Sequence, residues 1–308
     1  MTAQMPDRRQ MLFGLAAVGL ALTETSAEAA ITAAPPVAGG AAANSLQHDM
    51  QPCRFGAIHY RFVKPARPTK AVPMLCLHAS PASAIGFADF LPLMGTDRLA
   101  IAPDNPGFGL SDRPSTPSTI ADFAGAIWDL MDGLKIKTVD LVGSNTGSAT
   151  AVEMALQRPA AVRRIVLHTA PMFTPQEVAG YQSRLSTSAS PDLEAAAASL
   201  PERWKKFAPL RVGLSDDVAW QLFWEMNRDP IHRSWGHDAA FAYDFAGALR
   251  QVRHPVLILN PQDGMSAVTA RAKGVRPNIA VMDLPWSGYP FTTHAVETAG
   301  LIRQHLDA

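Results

Sequence analysis

The run VDLVGSNTGSATAVEMA, Val139 to Ala155, constrains the fold more than any other stretch of the chain. An apolar, strand-like segment ends in Gly143-Ser144-Asn145-Thr146-Gly147, and a helix-like segment runs on to about Gln157, where Pro159 stops it. A turn this tight lifts one side chain, that of Asn145, clear of the sheet. It also needs small residues at 143 and 147, because neighbouring backbone passes close to both.

The rest of the chain repeats the same rhythm. AIHYRFV, AVPMLCLHA, RLAIAPDN, RRIVLHTA, HPVLILNPQDG and NIAVMDLPW read as strands, several of them continuously apolar as in a sheet covered on both faces. Between them, Phe123, Ile127, Leu130, Met131 and Leu134 fall on one face of a helix that Thr119 and Asp122 open as a capping box. A last helix carries Val296, Ile302 and Leu306. Strands alternating with helices predict an α/β fold with a mostly parallel central sheet and helices on both faces. Residues 174–250 break the pattern. They are helical in tendency and rich in tryptophan, with Trp220, Phe223 and Trp224 at helical spacing, which suits the core stripe of a helical cap that also lids a pocket.

The N-terminus is of another kind. Arg8 and Arg9 precede the apolar run Leu12–Leu22, and Ala27-Glu28-Ala29 has the form of a cleavage site. Residues 1–29 therefore read as a secretory signal peptide, and DRRQML resembles the twin-arginine type, which predicts a periplasmic or secreted protein. The apolar run is too short to span a bilayer, so no stable membrane insertion is expected once the signal is removed. Residues 30–46, all Ala, Pro, Gly and other uncharged residues, read as a flexible tether. The α/β core is then expected over 47–173 and 251–308. With 27 basic against 27 acidic residues and no basic block, nucleic acid is not an expected partner. The oligomeric state has no signature. Cys76 lies inside an apolar strand and reads as a buried free thiol, with a bridge to Cys53 as the lesser alternative.

Three loops fall at the carboxyl ends of strands: LHASPASAIGF, APDNPGFGLSD and the Asn145 turn. HASP resembles a His-Gly-x-Pro oxyanion loop with Ala79 in place of glycine, and DNPGFGLSD resembles an Asp-x-Pro-Gly-x-Gly-x-Ser segment. With the strand–turn–helix at 139–157, these motifs resemble the α/β-hydrolase superfamily over roughly residues 50–306. The likeness is to its capped branch of haloalkane dehalogenases, epoxide hydrolases and small-molecule esterases.

The resemblance implies a small-molecule substrate, no cofactor and no metal. It places the elbow at Asn145, the acid at Asp263 and the histidine position at Tyr289 in WSGYPF. It places oxyanion donors at the backbone N–H groups of Thr146 and Ser80, beside His78, and substrate contact at Trp224 of the cap. A carboxamide is not a nucleophile, and a tyrosine with an ordinary pKa of about 10 is a poor base near neutral pH, so two parts of a Ser-His-Asp mechanism are missing.

Other side chains offer substitutes, but each has a plainer reading. Ser144 should point away from the pocket and His294 should cap the last helix. His168 could hydrogen-bond beneath the pocket, and Asp104, beside Asn105, is more often structural. His232 and His237 are five apart in the cap, with no third ligand for a metal. Three functions remain open. The chain could be a hydrolase-like enzyme in which Asn145 hydrogen-bonds and Asp263 activates water. It could be an inactive, ligand-binding relative on the same fold. It could also use an aspartate nucleophile formed by deamidation of Asn145.

Overall fold

The computed structural model describes residues 44–188 and 192–308, without the side chains of 184–188. The expected signal peptide and nearly all of the expected tether lie outside the described residues. Eight strands, β1 (Gln47–Cys53), β2 (Gly56–Val63), β3 (Met74–Leu77), β4 (Ala100–Pro103), β5 (Val139–Ser144), β6 (Val162–His168), β7 (Val256–Asn260) and β8 (Ile279–Asp283), make one sheet in the order β1-β2-β4-β3-β5-β6-β7-β8. β1–β2 and β2–β4 pair antiparallel, and every other pairing is parallel. β1 departs from the sequence reading. Its QHDMQPC is polar and contains Pro52, yet it zips along β2 from Gln47↔Phe62 to Cys53↔Gly56. An edge strand tolerates both features, because one face and one row of backbone groups stay in water.

Alternate side chains of each central strand feed two cores. Leu75, Leu77, Leu141 and Ile165 face α2 (Ile120–Gly133) and α3 (Thr146–Gln157). Met74, Cys76, Val142 and Val166 face α1 (Phe90–Met94) and the C-terminal helix α10 (Ala295–Leu306). Burying each such apolar side chain contributes about 1.5–3 kcal/mol. α2 opens with the capping box foreseen at Thr119 and Asp122. Cys53 and Cys76 are both free thiols, Cys76 fully buried and raised well above its ordinary pKa by desolvation.

Between β6 and β7 lie α4 (Pro175–Ser188), α5 (Leu193–Ala198), α6 (Leu200–Phe207), α7 (Asp216–Glu225), α8 (Trp235–Ala242) and α9 (Phe245–Leu249). Phe207, Ala219, Leu222 and Phe223 form a small core of this cap, and Tyr289 packs against it. α9 instead buries Phe245, Ala248 and Leu249 in the main core. Among the described residues no helix is long and apolar enough to cross a membrane.

Candidate active site

β5 and α3 meet at Asn145, which is held at φ 51° and ψ −108°. The close packing expected at the flanking glycines is present. A Cβ on Gly147 would lie 2.0 Å from the Leu77 carbonyl oxygen, and one on Gly143 would lie 2.5 Å from the Gly147 oxygen. Backbone cannot yield as a flexible side chain can, so both positions require glycine. The Asn145 N–H donates to the His168 carbonyl at 3.1 Å, and the Thr169 hydroxyl donates to Asn145 Oδ1 at 2.8 Å. Thr169 too has a positive φ, 69°. Two such residues side by side store about 1–3 kcal/mol each, which the surrounding contacts must hold in place. With Oδ1 engaged, the Asn145 amide nitrogen has no acceptor among the described residues.

Thr146 is the first residue of α3, so its N–H has no partner within the helix, and no other described residue accepts it. It can donate to an oxyanion. Ser80 is differently placed. Its N–H points to Thr146 Oγ1 at 3.4 Å, a long contact, and its own hydroxyl is buried without a partner among the described residues. His78 is a brace rather than a reactive group. Its Nε2 accepts the Asn105 N–H at 2.9 Å, which leaves Nδ1–H to donate to the Ala79 carbonyl at 3.0 Å. Burial lowers its pKa, in keeping with a neutral ring. Asp104 also ties loops together, through His59 at 2.7 Å and the N–H groups of Ala84 and Leu110.

Asn145 lines two cavities. The smaller, about 170 Å³, also holds Ser144, His168, Asp263, Tyr289 and Phe291. The predicted acid and the residue in the histidine position are thus brought to the elbow, but no hydrogen bond joins them. Asp263 stands exposed at the rim and accepts the Met265 N–H at 2.8 Å, while loss of surrounding water pushes its carboxyl up. Tyr289 is half-buried, burial raises its pKa, and its hydroxyl has no partner among the described residues. Ser144 turns toward His168, with Oγ 3.1 Å from Nδ1, and desolvation lowers His168 to about 4. His294 stacks on Trp286, away from both cavities.

The larger cavity, about 370 Å³, is mainly apolar and joins the elbow to the cap through Phe173, Tyr181, His237 and Phe241. The aromatic rings of Phe173, Tyr181 and Phe241 form a cluster with centroids 5.0–5.4 Å apart. Trp224 lies on the outer surface, 45% exposed and edge-on to Trp220, and lines neither cavity. The aromatic wall comes from other residues, which the sequence reading missed. The only local signal was the spacing of His237, Ala240 and Phe241, one face of α8. No group of three metal-ligating side chains occurs among the described residues.

The family model described as the alpha/beta hydrolase fold matches residues 72–264. The chain belongs to this family. Among α/β-hydrolase relatives, 2-hydroxymuconate semialdehyde hydrolase of Pseudomonas sp. (strain CF600) is 33% identical over 103 residues, covering 31% of this chain and 35% of that protein. The 2-(acetamidomethylene)succinate hydrolase of Mesorhizobium japonicum is 25% identical over 225 residues, covering 69% of this chain and 79% of that one. A solved hydrolase from Pseudomonas aeruginosa PA01 superposes with a TM-score of 0.70 at 18% identity, over 85% of this chain and 99% of the other. The chain spans about a third of the length of the first two curated relatives it matches. The relatives are hydrolases, and the solved α/β-hydrolase structure supports the fold alone.

Proposed function

We propose that this α/β-hydrolase-fold protein is an exported hydrolase for a small, fairly apolar molecule, acting at a non-standard site without a covalent enzyme intermediate. The observation that carries the reading is the Asn145 side chain. Its oxygen is fixed by Thr169, so its amide N–H group is left to donate where both cavities meet. Asn145 then polarises the substrate together with the Thr146 N–H, and water takes the place of the missing nucleophile. Asp263, with its carboxyl pushed up, and Tyr289 flank the same space. Esters, lactones, epoxides and halides are the substrates to screen on the mature protein, beside Asn145→Ala and Asp263→Ala. Turnover that survives both substitutions unchanged assigns the chemistry elsewhere.

One observation favours a second reading, an inactive binding protein. Asp263 and Tyr289 share a cavity without a hydrogen bond, so no proton relay stands assembled. A molecule that raises the melting temperature with no product formed supports that reading. Peptide mass mapping of the Asn145 segment tests the aspartate alternative directly. For export, the proposal predicts a mature N-terminus near Ala30 in the periplasmic fraction and precursor accumulation in Arg8→Lys/Arg9→Lys.

A further inference from the structure

The cap brings one histidine to the elbow that neither the motif pattern nor the triad logic assigns. α8 crosses the oxyanion loop so closely that a Cβ on Gly236 would lie 2.0 Å from Ser80 Oγ. The next residue, His237, lines the same cavity as Ser80. It lines the larger cavity with Ala240 and Phe241, one face of α8, while Trp235, Asp238, Ala239 and Ala242 line a groove on the opposite face. Ser80, Asn145 and Thr146 belong to the same cavity wall. The other histidines near the elbow are engaged: His78 through both ring nitrogens and His168 through Ser144. The His237 ring nitrogens have no partner among the described residues, and they are not sealed from solvent-sized contact as His168 Nε2 is.

We propose that His237 is the proton-transferring catalytic residue of this site, acting on esters with an aryl or enol leaving oxygen. The inference rests on the hydrolase reading above. Neutral His237 takes a proton from water as the water oxygen bonds to the ester carbonyl carbon. Charge builds on the carbonyl oxygen, within reach of the Thr146 N–H and the Asn145 amide. The carbon–oxygen bond to the leaving group then breaks, and the leaving oxygen takes the proton back from His237. One ester and one water become one acid and one alcohol, and the ring ends neutral. Burial, with a contribution from the Arg233 charge, lowers His237 to about 4. A ring that weak as a base gives water attack only modest help, so it needs a carbonyl already activated by a good leaving group. The Phe173, Tyr181 and Phe241 wall suits an aryl group.

The test uses the mature protein, p-nitrophenyl butyrate and the variants His237→Ala and His237→Gln. Loss of a general acid–base predicts about a hundredfold or greater fall in kcat in both His237 variants. Added imidazole should restore part of it in His237→Ala, which a merely structural role would not allow. If the alanine variant melts early, the glutamine variant decides. Wild-type turnover with His237→Gln within threefold, or no imidazole rescue of a folded His237→Ala, overturns the role of His237 and leaves the hydrolase reading standing. A wild type inert toward p-nitrophenyl butyrate, δ-valerolactone and styrene oxide overturns both.

Discussion

The Thr169 hydroxyl donates to Asn145 Oδ1 at 2.8 Å, and both residues hold positive φ, 69° and 51°. The end of β6 thereby orients the tip of the β5–α3 elbow. Thr169→Val removes the donor at nearly constant shape, and Thr169→Ser keeps it. A net hydrogen bond of about 1 kcal/mol predicts a five- to tenfold lower kcat/KM in the valine variant and little change in the serine variant. Equal activity in all three proteins would show that the bond does not orient the amide.

Gly147 is the second testable point. With a Cβ only 2.0 Å from the Leu77 carbonyl, Gly147→Ala should cost about 3 kcal/mol, read as a lower urea midpoint. Gly180 is the control. It lies in α4, and a methyl group there would meet nothing within 4 Å, so Gly180→Ala should stabilise by about 0.5–1 kcal/mol. A tolerated Gly147→Ala would mean the elbow can open.

Asp104 predicts a pH dependence of stability. Burial raises its carboxyl, but the bond from His59, the His78 ring and the N–H groups of Leu110 and Ala84 outweigh burial and hold it below the ordinary value. A carboxylate depressed in the folded state contributes stability that is present above its unfolded pKa, about 3.9, and lost as pH falls through the folded value. Asp104→Asn should lose about 3 kcal/mol at pH 7 and flatten the acid limb of the stability curve, measured by urea unfolding from pH 7 down to 3.

Asn145→Ser with Tyr289→His rebuilds a nucleophile and a base around Asp263. The double variant should release a burst of p-nitrophenol and carry an acyl group on the new serine by peptide mass, and neither single variant should. An absent burst would place Asp263 out of reach of a residue at 289.

The elbow was legible because its requirement is local. Gly143 and Gly147 are needed whatever the tip residue, and their spacing survives in the sequence. The capping box of α2 was legible for the same reason. β1 was not, since a polar edge strand with Pro52 carries no alternating pattern. The wall of the larger cavity was not legible either. Phe241 lies far along the chain from Phe173 and Tyr181 and meets them only because α8 packs against α4 above the elbow, whereas Trp224, conspicuous in sequence, faces outward. His237 read only as one of two cap histidines, five residues from His232 and short of a third metal ligand; the fold brings it to the cavity that Asn145 lines.

The Thr146 hydroxyl already rests 3.4 Å from the Ser80 N–H. The elbow thus carries a weak internal stand-in for a substrate oxygen. A neutral carbonyl gains little by displacing it, because one modest acceptor replaces another. An oxyanion gains a charge-assisted bond roughly twice as strong. On the proposed hydrolase reading, the hydroxyl would set a threshold that favours the reacting species over the resting one.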